Sequence, residues 1–293
     1  MNMLSVVVLG AGAETNAALW LSLLLLISLF YGWHLFLRGP YSFVEACLYV
    51  PCYLLGRILW RVTFLNTPPA EMKLGAVLAA NHRSSVDPFF VQLAAQRRVH
   101  WMVAKEYCDH PLFGIVLRAL QVIPTNRSGV DTRATKSAIR LVRSGRLVGM
   151  FPEGRLNQTA APLLPVRSGA ALVAIKAGAP LIPLWIEGSP FRREVWSPFF
   201  MPANVRITFG RPLWPSSSGH GEVAHSASNV GAPETHHVAS GEEARQLDQR
   251  AEQDGPRSSD SDEADRLTLL WAQEVLRLAG KPNYPVQLAR RRR

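Results

Sequence analysis

The sequence predicts an α/β fold, a central β-sheet flanked by helices and preceded by an N-terminal membrane helix region. Three observations lead there. Short apolar runs alternate with helical patterns between residues 74 and 209, as strands joined by helical crossovers do. An uncharged stretch of 21 residues, Ala17 to Leu37, lies near the amino terminus and suffices to cross ~30 Å of hydrocarbon as a helix. A polar segment then separates one last helical stripe from everything before it.

Along the chain, residues 1–60 are expected to anchor the protein. Trp20 stands near one end of the apolar run and Tyr31 and Trp33 near the other, with Arg38, Arg57 and Arg61 following, which places the carboxyl-terminal side in the cytosol. Glu14 is the only charge before the run, whereas a cleaved signal peptide usually opens with a basic region and has a shorter apolar core. The next apolar segment, residues 43–60, carries Glu45, Pro51 and Arg57 and suits an interfacial or re-entrant helix.

The main domain is expected over residues 61–215. Leu74 to Ala80 is an apolar run ending at Asn81 and His82, a buried strand feeding a loop. Helices are predicted near 88–97, 111–120, 131–144 and 168–177, and strands near 99–104, 121–123, 147–151, 180–186 and 204–209. Residues 216–262 hold almost no large apolar side chain and are expected to form a disordered acidic insert; His236 and His237 within it read as ordinary solvated residues. Leu267, Leu270, Trp271, Val275 and Leu278 recur at helical spacing, so residues 263–280 form a helix packing back on the domain. Residues 281–293 form a basic tail.

Charge narrows the partners. The 293 residues carry a formal +10, yet residues 216–265 hold 11 of the 22 acidic side chains and only 3 of the 32 basic ones. The remainder therefore carries 29 basic against 11 acidic groups, a net +18 that attracts anionic lipid or phosphate-bearing substrates. Nucleic acid is not expected as a partner, since no motif presents side chains to bases. Cys47, Cys52 and Cys108 lack metal-ligand spacing, so neither a disulfide framework nor a metal site is expected.

The sharpest chemical feature is Asn81-His82-Arg83-Ser84-Ser85-Val86-Asp87-Pro88. Five helical steps leave His82 and Asp87 facing different ways, so one helix cannot pair them. Pro88 suits the first helical position and its predecessor avoids helical dihedrals, which puts Asp87 at the N-cap and His82 in the loop before it. A loop folding back over the helix start brings the carboxylate to the imidazole, although Asp87 also suits a cap whose neighbour does nothing. The second feature is Phe151-Pro152-Glu153-Gly154-Arg155 after an apolar run: Gly154 permits close backbone approach, Arg155 can grip phosphate, and Glu153 can accept from a substrate hydroxyl or pair with an arginine. The third is Ile123-Pro124-Thr125-Asn126-Arg127, which delivers another arginine; a surface ion pair or a structural turn is the plainer meaning of either segment alone. No nucleophile elbow, P-loop or zinc-protease motif is present.

Taken in order, these motifs resemble those of the 1-acylglycerol-3-phosphate acyltransferase (PlsC-type) glycerolipid acyltransferase family, from about Gly75 to Leu213. His82 and Asp87 match the family's His-x4-Asp block, Arg127 its second, and Phe151 to Gly154 its third. Leu181-Ile182-Pro183-Leu184, after Arg167-Ser168-Gly169, resembles the fourth. The third block departs from the family's Gly-Thr-Arg-Ser continuation, because Arg155 follows Gly154 directly.

The resemblance implies that His82 is a general base oriented by Asp87, with Arg127, Glu153, Gly154 and Arg155 holding a phosphorylated acceptor. It implies acyl-CoA or acyl carrier protein as co-substrate, no cofactor, a membrane lipid as acceptor, and a catalytic domain at the membrane facing the cytoplasm. 1-Acylglycerol 3-phosphate giving phosphatidate is the favoured reaction. Another acceptor, such as glycerol 3-phosphate, a lyso-aminolipid or a glycolipid, stays open, as does a non-catalytic lipid-binding protein.

Overall fold

The computed structural model describes residues 43–126, 131–192, 196–216 and 258–289, with scattered positions between 19 and 37. The expected membrane helix at 17–37 is therefore described at only part of its positions, and among the described residues no helix is long and apolar enough to cross a membrane. Arg127, residues 217–257 of the insert expected over 216–262, and Arg290 to Arg293 also lie outside them.

The first described helix, α1 (Phe43–Leu54), runs into a π-helical turn, Leu55–Leu59. Among the described residues seven strands follow: β1 (Thr63–Phe64), β2 (Ala76–Ala80), β3 (Val99–Ala104), β4 (Ile123–Thr125), β5 (Leu147–Met150), β6 (Leu181–Glu187) and β7 (Arg206–Phe209). They form one sheet in the order β1-β7-β6-β2-β5-β3-β4. The strands pair in parallel except β6 with β7, which are antiparallel.

The connecting helices are α2 (Asp87–Ala95), α3 (Lys105–Cys108), α4 (Pro111–Ala119), α5 (Thr132–Arg143) and α6 (Gly169–Ala177), and α7 (Ser258–Leu278) closes the domain. Most predicted elements stand where the periodicity put them. The β4 strand begins two residues later than expected because Gln121 takes a left-handed conformation (φ 51°) that turns the chain first. The last helix starts at Ser258, not Glu263: Asp260 in its first turn pairs with Lys176 on α6 at 2.7 Å, and acidic side chains suit a helix start.

Both faces of the sheet are covered, which is why β2 reads as an unbroken apolar run instead of alternating. Successive side chains point to opposite faces. Val77 and Ala79 join a core with Ala134 and Ala138 of α5, Ala170 and Ala174 of α6, and Trp271 of α7. Ala76, Leu78 and Ala80 join a second core with Trp60, Phe90 of α2 and Ile182. Trp271 donates its indole N–H to the Ala79 carbonyl at 3.0 Å, fixing α7 over the central strand.

Segment 43–60 is not set apart from the domain. Trp60 is fully buried, and Glu45 of α1, also buried, pairs bidentately with Arg98 ahead of β3. The tail differs too: up to Ala289 it is paired, with the Val166 N–H donating to the Gln287 carbonyl and the Ala289 N–H to the Val166 carbonyl.

Candidate active site

Three neighbouring parallel strands, β6, β2 and β5, end at the same edge of the sheet. Each is followed by a loop: 81–86 after β2, 151–168 after β5 and 188–192 after β6. A crevice at the carboxyl ends of parallel strands is where open α/β sheets place their ligands. His82, Phe151 to Gly154 and Ser189 are delivered there.

His82 Nδ1 lies 3.1 Å from Asp87 Oδ2. The same carboxylate oxygen accepts the backbone N–H groups of Arg83 and Ser84, each at 2.8 Å. Asp87 is thus placed one position away from the expectation: it is the first residue of α2, Val86 holds the cap position, and Pro88 follows. Its carboxylate turns back to organise the loop before the helix instead of capping the helix itself. The other oxygen, Oδ1, accepts the Ser189 hydroxyl at 2.7 Å.

Because Nδ1 faces a carboxylate oxygen, it carries the proton in this pairing and Nε2 is the ring nitrogen that remains as an acceptor. The His82 side chain is 17% exposed and that of Asp87 fully buried. The imidazole stacks on Phe151, with ring centroids 3.7 Å apart and an 8° interplanar angle. Phe151 stacks in turn on Trp101 at 4.8 Å. Gly149 makes room for this column, since a Cβ there would stand 2.6 Å from the Trp101 ring.

Glu153 faces inward. Its Oε1 accepts the His82 backbone N–H at 2.8 Å and its Oε2 the Leu164 N–H at 2.9 Å, and it is 3% exposed. Burial pushes its carboxyl above the usual range, against the opposing pull of those two hydrogen bonds. Glu153 was expected to hold substrate. The structure instead engages both its oxygens with backbone and ties the third motif to the first. Asn157 adds a second tie, donating its N–H to the His82 carbonyl at 2.7 Å.

Gly154 adopts φ +67°, which only glycine takes without strain. The Arg167 guanidinium packs over it, with Nε 3.3 Å from where a Cβ would stand, and the Arg167 N–H donates to the Pro152 carbonyl at 2.9 Å. Arg155 and Arg167 are both exposed beside this turn. Arg83 is committed otherwise: its guanidinium donates to the Ala161 carbonyl at 3.2 Å and the Thr159 carbonyl at 3.0 Å, closing the 151–168 loop over the motif.

The site therefore brings His82, Asp87, Glu153, Gly154 and Arg155 to one edge, with Arg127 outside the described residues. Sequence reasoning missed Ser189, and met Arg167 only as part of a motif. Among the described residues no group of three or more His, Cys, Asp or Glu side chains is arranged to hold a metal ion.

Residues 61–187, the segment that contains this constellation, match the family model described as Acyltransferase. The 1-acyl-sn-glycerol-3-phosphate acyltransferase of Bacillus subtilis (strain 168) is 26% identical over 181 residues, 61% of this chain and 85% of that protein. Over that segment the chain is similar to the PlsC-type acyltransferases. The like-named protein of Borreliella burgdorferi is 24% identical to this acyltransferase, over 50% of the chain and 58% of its own length. That of Haemophilus influenzae is 30% identical over 37% of the chain and 46% of its own length. This acyltransferase thus spans less than two thirds of each of these last two relatives. A solved structure, the 1-acyl-sn-glycerophosphate (LPA) acyltransferase PlsC of Thermotoga maritima, aligns over 80% of this chain and 93% of that one, at 19% identity and a TM-score of 0.47.

Proposed function

We propose that this acyltransferase moves a fatty acyl group from acyl-CoA or acyl carrier protein onto the hydroxyl of 1-acylglycerol 3-phosphate, forming phosphatidate in phospholipid biosynthesis. The observation that carries the reading is the His82–Asp87 pair at the carboxyl end of β2, with Nδ1 held 3.1 Å from the carboxylate and the ring backed by Phe151. A histidine so oriented is a base, and the relatives that share the segment are named for this transfer.

In the proposed reaction Nε2 takes the acceptor hydroxyl proton as the oxygen attacks the thioester carbonyl, and Asp87 stabilises the imidazolium that forms. The proton then passes to the departing thiolate, so a thiol and an ester are the products. General-base assistance supplies ~10²- to 10⁴-fold of the rate, and positioning supplies the larger remainder. Gly154, Arg155 and Arg167, together with Arg127, hold the phosphate; arginine forks match phosphate oxygens. Glu153 serves as the support that fixes the His82 loop.

The apolar run at 17–37 and α1 anchor the site at the membrane, with the catalytic domain on the cytoplasmic side, where a lysolipid acceptor partitions. The reading is tested by incubating the full chain in membranes with oleoyl-CoA or oleoyl carrier protein and a panel of acceptors. Transfer to lysophosphatidate, absent without the chain, supports it; transfer confined to glycerol 3-phosphate or an aminolipid reassigns the acceptor.

A further inference from the structure

Asp87 is fully buried, and its Oδ2 already serves His82, Arg83 and Ser84. The opposite oxygen, Oδ1, accepts the Ser189 hydroxyl at 2.7 Å. Ser189 lies outside every motif the sequence offered, 102 positions further along the chain.

The way Ser189 reaches Asp87 is built into the fold. Asn81, immediately before His82, clips its side chain to β6: its amide donates to the Ile186 carbonyl at 2.9 Å and its carbonyl accepts the Ile186 N–H at 2.7 Å. The end of β6 is thereby registered against the residue next to the base. Gly188 then turns the chain at φ +77°, where a Cβ would stand 2.1 Å from the Asn204 carbonyl. Only glycine fits, and the turn delivers Ser189 to the carboxylate.

We infer that Ser189 is a positioning residue for the transfer, acting on His82 through Asp87. This rests on the reading of His82 as the base. A hydroxyl donor on Oδ1 fixes the rotation of the carboxylate, and that rotation aims Oδ2 at Nδ1. Without it a buried anionic oxygen lacks its donor, the carboxylate turns to seek another, and the imidazole loses its fixed orientation. Ser189 reaches the base through the Asp87 carboxylate, so its effect is expected on turnover and not on binding.

The test measures kcat, KM for donor and acceptor, and Tm in the full chain for wild type, Ser189→Ala, Ser189→Thr, Asp87→Ala and the Ser189→Ala/Asp87→Ala double variant, with His82→Ala as the control on the base. Ser189→Ala is expected to lower kcat roughly tenfold, the size of one hydrogen bond to a charged partner, with both KM values within about twofold. Ser189→Thr retains the hydroxyl and is expected to keep kcat within about threefold of wild type. In the Asp87→Ala background the serine substitution is expected to change kcat by less than about twofold, since the residues act as one unit. A wild-type kcat in Ser189→Ala, or an equal loss in both backgrounds, overturns the inference while His82→Ala stays inactive. Full activity in His82→Ala overturns the base assignment itself, and the inference with it.

Discussion

The backbone N–H of His82 donates to Glu153 Oε1 at 2.8 Å, joining the first and third motifs through a carboxylate that is 3% exposed. Removing that carboxylate leaves two buried N–H groups, of His82 and Leu164, without acceptors. Glu153→Ala is expected to cost about 2–4 kcal/mol of stability and to lower kcat more than it raises KM for the phosphorylated acceptor. Denaturant unfolding and steady-state kinetics on the same preparation check this. A selective rise in acceptor KM at unchanged stability would instead return Glu153 to the substrate.

The Glu45–Arg98 pair fastens α1 to the domain, and both side chains are largely out of solvent, 4% and 14% exposed. Arg98→Ala strands a buried carboxylate and is expected to destabilise by about 3–5 kcal/mol, while a paired apolar replacement of both residues is expected to be close to neutral. Thermal unfolding of the two variants separates these outcomes. Equal losses in both would show that the pair itself supplies net stability.

His100 on β3 is buried, with Nδ1 at 2.9 Å from the Gln121 carbonyl and, among the described residues, no hydrogen-bond partner for Nε2. Burial holds its pKa below the usual imidazole value; Arg98 and Arg146 add to the effect, and the Gln121 hydrogen bond and Glu45 oppose it. The folded state therefore binds fewer protons than the unfolded state at this site. The stability it contributes is present above about pH 6.5 and is lost as pH falls below that value toward the folded pKa. Tm is expected to fall between pH 7.5 and pH 5.5, and His100→Asn is expected to flatten part of that fall. An unchanged slope in the variant would assign the acid sensitivity elsewhere.

Ser216 and the start of α7 are tied together: the Ser216 N–H donates to Glu263 Oε1 at 3.0 Å. Arg266 donates to the Ser216 hydroxyl. The chain so leaves and re-enters the domain at one place. Replacing residues 219–255 by a short glycine-serine linker is expected to leave transferase activity within about twofold and Tm within about 3 °C, since loop-closure entropy changes slowly with length. Lost activity at preserved Tm would give the segment a role in the reaction.

The sequence resolved the frame better than its contacts. The apolar run ending at Ala80 was enough to place His82 at a strand end, and the proline after Asp87 to put the carboxylate at a helix start within one position. The inward turn of Glu153 was not legible, because a carboxylate between proline and glycine reads the same whether it meets solvent or two backbone N–H groups 71 and 11 residues away. Ser189 carried no signal either: a serine after Gly188 is ordinary turn chemistry until β6 is known to lie beside β2. The burial of Glu45 depended on Arg98, a partner 53 residues distant that no local pattern names.

The proposed reaction stands on His82 as the base, oriented by Asp87. The most direct measurement is single-turnover acyl transfer from labelled oleoyl-CoA or oleoyl carrier protein to lysophosphatidate by wild type and His82→Ala in the same membranes, with Tm confirming that both are folded. A loss of at least about 10²-fold is expected in the variant, the lower end of general-base assistance. Transfer by folded His82→Ala at the wild-type rate would contradict it.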